Sequence, residues 1–88
     1  MLFFKRKSIA TDFGITVTHS DYELGSTTSY GISYMCNGKR QEINDICIMR
    51  SDIEVLVQRL NNMPVCYKNQ LEKIITDYLD EIILITQN

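Results

Sequence analysis

With one histidine, one proline, no tryptophan and an odd three cysteines, this 88-residue chain is short of the groups that usually carry chemistry. Acid–base and nucleophilic catalysis need titratable side chains that converge. His19 stands without a paired motif, so the chain is not expected to be an enzyme. The run His19-Ser20-Asp21 holds the three triad residue types, but a strand throws neighbours to opposite faces, so consecutive residues cannot assemble that geometry. His19 reads instead as a strand-end surface residue. Cys36, Cys47 and Cys66 are widely spaced and include no Cys-x-x-Cys pair, which excludes a disulfide framework. A zinc site from these three and His19 is arithmetically open, yet structural zinc ligands come in close pairs. Reduced, partly buried thiols in a cytoplasmic protein are expected, with no cofactor and no metal. There is no basic excess: the net charge is −2 and the pI about 5.2, which argues against a general nucleic-acid binder. No apolar run approaches the roughly 18 residues that span a bilayer. The start, MLFFKRKS, sets its apolar residues before its basic ones, the reverse of a secretory signal. No membrane association and no small-molecule substrate are expected.

What is present is globular. At 44% hydrophobic and 23% charged, residues 1–88 read as a single domain. The chain is organised around residues 30–49. Asn37-Gly38 is a strong hairpin signal, because a type I′ turn needs positive φ at both central residues. A two-residue loop pairs Cys36 with Lys39, Tyr34 with Gln41 and Ile32 with Ile43. Alternation then sets Tyr30, Ile32, Tyr34 and Ile43 on one face, taken as the core side. Ile43 and Ile46 are three apart, which a period of two cannot place together. A β-bulge at Asn44-Asp45 that inserts one residue would turn Ile43, Ile46 and Ile48 all inward. Ser51-Asp52-Ile53-Glu54 follows as a capping box, with Ser51 as N-cap.

In chain order, Leu2-Phe3-Phe4 with Lys5-Arg6-Lys7 reads as a short edge strand or an aromatic-anchored terminus, its basic triplet discouraging strand pairing. Residues 13–19 alternate as a strand with Phe13, Ile15 and Val17 inward. Residues 20–26 read as a loop and 27–36 as the next strand. The first helix covers about 52–61, with a stripe of Ile53, Leu56, Val57 and Leu60. Asn61-Asn62 is its stop and Pro64 prevents continuation. The second helix starts near Tyr67 and reaches Glu81 or beyond, weakly capped by Cys66 or Asn69. Its apolar face is Leu71, Ile74, Ile75, Tyr78, Leu79 and Ile82. Strands followed by helices give an α+β fold: a three- or four-stranded antiparallel meander, then two helices packed on one face.

The C-terminal stretch is different in kind. Ile82-Ile83-Leu84-Ile85 is apolar on every side of a helix, so it is buried all round, turns into a strand, or meets a partner. Residues 1–50 carry six basic and five acidic side chains, and residues 51–88 three basic and six acidic. Asp77, Asp80 and Glu81 share one helical face. An apolar pair, Ile83 and Leu84, beside Asp77, Asp80 and Glu81 has the layout of a contact with an apolar centre and a polar rim. The functional expectation is a non-catalytic protein–protein interaction or regulatory module, binding a protein partner or a second copy. One alternative is a phage- or mobile-element-encoded inhibitor that blocks a host defence complex by occupying a basic site. Another is a weak nucleic-acid binder using Tyr30 and Tyr34 as a stacking platform beside Lys39 and Arg40.

From Tyr30 onward the chain resembles a small bacterial domain family of unknown function, found mainly in low-GC Gram-positive bacteria. The matching motifs are Tyr30-Gly31-Ile32, Ile43-Asn44-Asp45-Ile46-Cys47, Val55 with Gln58-Arg59-Leu60-Asn61, and Asp77-Tyr78-Leu79. They cover residues 30–79. The chain departs from that pattern at Cys47, where the family tends to serine, and at Tyr67-Lys68, where a Ser-Pro helix start is missing. The resemblance implies no activity. It implies that Asp45 serves turn geometry.

Overall fold

The computed structural model describes residues 8–86, with only the backbone described for residues 85 and 86. The expected edge strand at Leu2-Phe3-Phe4 and its basic triplet lie outside the described residues. Three antiparallel strands, β1 (Ala10–Tyr22), β2 (Gly25–Cys36) and β3 (Lys39–Cys47), form a meander in the order β1-β2-β3. Two helices follow, α1 (Arg50–Asn62) and α2 (Lys68–Thr86), and cover one face of the sheet. The fold is α+β, three-stranded among the described residues.

The second hairpin forms in the expected register: Cys36 opposite Lys39, Tyr34 opposite Gln41, Ile32 opposite Ile43. Asn37 and Gly38 take φ of 54° and 76°, the left-handed pair that a type I′ turn requires. The first hairpin is longer than the sequence indicates. Residues 20–26 were expected as a loop, but β1 runs on to Tyr22 and turns through Glu23-Leu24. Gly25, at φ 142°, pairs with Tyr22 and starts β2. The Asp21 and Gly25 that mark a loop sit instead in a tight two-residue hairpin, where Ser20, Asp21 and Tyr22 pair with Thr27, Ser26 and Gly25.

The bulge in β3 is present but larger than one residue. Tyr30 lies opposite Cys47 and Ile32 opposite Ile43, so residues 44–46 face Gly31 alone. Asp45 sits at φ 62°, which agrees with a turn role for it. Ile43 and Ile46 both pack against the core. Three residues against one restore the original alternation, however. Cys47 therefore turns inward and Ile48 points out, 75% exposed, against the expectation for Ile48. A second bulge interrupts β1 between Thr11 and Gly14, with Asp12 at φ 54°.

One hydrophobic cluster holds the layers together. Ile53, Leu56 and Leu60 of α1 meet Phe13, Ile32, Tyr34 and Cys36 of the sheet, with Leu71, Ile75 and Tyr78 of α2. Burying each of these large apolar side chains is worth about 1.5–3 kcal/mol. Val17 is not among them. It was expected inward, but the helical layer ends short of it and leaves it 57% exposed.

The capping box does not form. α1 begins at Arg50, its N-cap is Met49 in extended conformation, and no side chain caps it. The Met49 carbonyl accepts from the amides of Asp52 and Ile53, at 3.2 and 3.3 Å. Glu54, which the box would have used, pairs instead with Arg50 at 3.1 Å, one turn away. Ser51 is an exposed residue inside the helix. At α2 the Tyr67 amide donates to the Gln70 side chain at 3.5 Å, half of a capping box that neither Cys66 nor Asn69 supplies. The next amide, of Lys68, donates to the Ser8 carbonyl at 2.7 Å.

Candidate interaction surface

α2 turns about 100° per residue. Leu71, Ile75 and Tyr78 fix the buried direction. Asp77, Asp80 and Leu84 then fall on the far side of the helix, with Glu81 on the flank toward α1 and Ile83 on the opposite flank. Ile83 is 52% exposed and Leu84 64%. All five residues expected to form a contact are exposed, spread over α2 from one flank to the other. They are not equivalent in charge. Lys73 reaches Asp77 at 2.8 Å, and this hydrogen bond, with the attraction behind it, holds the lysine above its ordinary pKa. Arg59 of α1 grips Glu81 through two bonds of 2.8 and 3.0 Å. The same bonds push the Glu81 carboxyl below its ordinary value and raise Arg59. Asp80 alone has no ion pair among the described residues. Exposed pairs of this kind contribute little stability, but they neutralise two of the three carboxylates. An electrostatic clamp on a basic partner is correspondingly weak.

Beside this face lies a groove between the helices, lined by Met49, Val55 and Ile82, with Arg59, Glu81 and Tyr78 along it. Its floor is fixed. The Tyr78 hydroxyl donates to the Asp52 carbonyl at 2.7 Å, and the Arg59 guanidinium sits 5.0 Å from the centre of the Tyr78 ring. Burial, then the Asp52 charge, raises the Tyr78 phenol. Met49 and Val55 are exposed, so the groove carries apolar surface of its own between α1 and the Glu81 flank of α2.

The opposite face of the sheet is polar, carrying Thr16, Ser33, Arg40 and Asn44. Gly31 is buried there, because the bulge of β3 folds over it. Thr16 donates to Asn44 at 2.7 Å across the glycine, joining β1 to β3 over β2. Arg40 lies along the same face, donating to the Ser33 hydroxyl at 2.9 Å and the Asp12 carbonyl at 3.4 Å. Both tyrosines of the expected stacking platform lie on the helix-covered face, and Tyr30 is partly buried against the core. Tyr34 is 3% exposed, packs against Phe13 with ring centres 6.1 Å apart, and lies on the other face from Arg40. Burial raises its phenol.

His19 lies on the β1–β2 ribbon with Asp21 at 3.3 Å and the Thr28 hydroxyl at 3.1 Å. Ser20 alternates to the other face, and His19 and Asp21 are both exposed, so no enclosed centre is built there. Burial raises the Cys66 thiol and, foremost among several causes, the Cys47 thiol. Among the described residues, no group of three or more His, Cys, Asp or Glu could hold a metal ion. Nor is any helix there long and apolar enough to cross a membrane.

Two determinants escaped the sequence reading. Asn61, read as a helix stop, also binds the strand edge: it accepts from the Phe13 amide and donates to the Phe13 carbonyl, both at 3.1 Å. Gly31 carried a usable signal, since an isolated glycine inside a strand often marks a bulge or a close backbone approach. Comparison with protein families, with curated proteins and with solved structures finds no match to this chain.

Proposed function

We propose that this chain is a non-catalytic protein–protein interaction module that docks through the C-terminal half of α2. The observation that carries the reading is the exposure of Ile83 and Leu84 at the end of a helix whose opposite face is core. Exposed large apolar side chains that adjoin one another are costly to solvate and mark contact surfaces. Asp80 at the rim, with no ion pair among the described residues, favours a partner whose apolar contact is edged by a lysine or arginine. Membership of the uncharacterised Gram-positive family belongs to the same reading and rests on the motifs between Tyr30 and Leu79. So does a cytoplasmic location, which suits three free thiols, two of them buried.

The test changes Ile83 and Leu84 together to Ser. Immobilised wild-type and variant chains are compared for capture from the native host, alongside thermal unfolding. A defined protein held by the wild type and lost by an equally stable variant supports the module. Unfolding of the variant would instead make the tail part of the core, and identical capture by both would remove this surface from function.

A further inference from the structure

The two free edges of the sheet are treated differently. β3 shows the usual protection: Lys39, Arg40 and Glu42 along the strand, then the bulge at residues 44–46 with its positive φ. β1 is protected over its first part only. The Ala10 amide donates to the Cys66 carbonyl at 2.8 Å, Ile9 bridges Tyr67, and Asn61 takes both backbone groups of Phe13. Beyond Phe13 this cover stops.

Alternation fixes which groups remain. The two-residue turn makes Tyr22 and Gly25 a hydrogen-bonded pair, so even-numbered residues of this part of β1 bond to β2. Ile15, Val17, His19 and Asp21 therefore point their amides and carbonyls off the sheet, as Phe13 does toward Asn61. None of these four has a backbone partner there among the described residues. The segment is β-branched from Ile15 to Thr18, has no proline, lysine or bulge, and keeps an unbroken register with β2 from Gly14 to Tyr22.

We propose that a second copy of this chain pairs antiparallel with β1 over residues 15–21, centred on Thr18, to make a continuous six-stranded sheet. The register follows from the available groups. Centred on Thr18, Val17 bonds to His19 of the other copy and Ile15 to Asp21, so all four open residues on each strand are used. Asn61 keeps Phe13. A register centred on Val17 would set Asp21 against Phe13, already occupied. Charge agrees: the one carboxylate of the edge, Asp21, meets Ile15 and stays far from its own copy. On the polar face Thr18 meets Thr18 and Thr16 meets Ser20, small hydroxyl pairs that suit a sheet. The same patch serves both partners, the condition for a closed twofold dimer.

This surface is separate from the α2 face, and the experiment keeps them apart. Light scattering of the wild type should give twice the 10.2 kDa chain mass, dissociating on dilution. Thr18→Cys should form an interchain disulfide on mild oxidation. The two Cα atoms of such a non-hydrogen-bonded pair lie about 4.5 Å apart, inside the range a disulfide spans. Ser20→Cys, facing Thr16 of the other copy, should not cross-link. Val17→Pro removes an outward amide without touching the β1–β2 ladder, and should halve the mass with unchanged circular dichroism. If that variant unfolds, the Thr18 and Ser20 pair decides. A wild type that is monomeric at its highest soluble concentration overturns the proposal, as does equal cross-linking at both positions. A dimer abolished by the Ile83 and Leu84 double variant also overturns it and assigns self-association to α2.

Discussion

Replacing Gly31 by alanine tests the most constrained point of the sheet. A methyl group built there meets the Ile43 carbonyl oxygen, with the Asn44 Cα and the Thr16 hydroxyl both at 2.7 Å. Two of these three atoms are backbone, so no rotamer change relieves them. Either the bulge at residues 44–46 lifts off β2 or the strands separate. Forcing a methyl into a packed site costs about 1–3 kcal/mol. Lifting Asn44 also breaks its bond to Thr16, worth about 1 kcal/mol. The stiffer unfolded chain returns roughly 0.4–1 kcal/mol. The net expectation is a loss of about 2 kcal/mol, large for a domain whose total is about 5–15 kcal/mol. With a urea slope near 1 kcal/mol/M for so small a chain, the unfolding midpoint should fall by about 2 M. Gly14→Ala is the internal control. Its added methyl would sit 3.1 Å from the Ser33 hydroxyl, a side-chain atom that can give way, so its midpoint should move much less. If Gly31→Ala unfolds at the wild-type midpoint, or no lower than Gly14→Ala, the close approach of the bulge is not what holds this position.

Two further substitutions probe the helices. Ser51→Ala should change stability by no more than about 0.5 kcal/mol in chemical denaturation, since Ser51 is an exposed helix residue with no capping bond; a loss of about 1 kcal/mol would reinstate it as the cap. Glu81→Gln should reveal the pairing with Arg59 through pH. Arg59 lowers the folded-state pKa of Glu81, so the stabilisation is complete above the unfolded glutamate value of about 4.3 and fades as pH falls through the lower folded value. The wild-type advantage over Glu81→Gln should therefore be present at neutral pH, small because the pair is exposed, and vanish under acid. An advantage that persists unchanged in acid would show that the carboxylate charge is not its source.

The strand order, the second hairpin's register and the α1 stripe were legible because each rests on short-range geometry. Asn37-Gly38 admits one tight turn, and the spacing of Ile53, Leu56 and Leu60 admits one buried face. The helix start was not legible, because beginning at Arg50 or at Asp52 buries the same stripe. The choice falls to Glu54, which can pair with Arg50 or reach back to Ser51 but not both. Bulge size was hidden for a related reason. The spacing of Ile43 and Ile46 shows that alternation breaks, yet one inserted residue and a three-against-one arrangement explain it equally, and only Ile48 tells them apart. Val17 alternates correctly, but alternation cannot say where the helical cover ends. On the candidate surface, the all-round hydrophobicity beginning at Ile82 located the exposed pair. The pairing of Arg59 with Glu81 bridges two helices and has no local trace.

From Tyr30 toward the first turn, β1 and β2 have only each other within one chain among the described residues. The last contact with β3 is Tyr30 with Cys47, and beyond it the two strands continue unaccompanied to Glu23-Leu24. The Cα radius of gyration, 15.3 Å, exceeds the roughly 12 Å of a compact chain this long. A lone two-stranded ribbon is marginal in water, whereas the part of the sheet beneath α1 opens only when the core does. One short chain therefore holds two levels of cooperativity. In a single chain, amides of the distal ribbon should exchange with solvent through local opening while those flanking Ile32 and Tyr34 wait for global unfolding, a difference that pairing of β1 with a second copy would reduce. The ribbon can open and close many times within the lifetime of a single folded molecule.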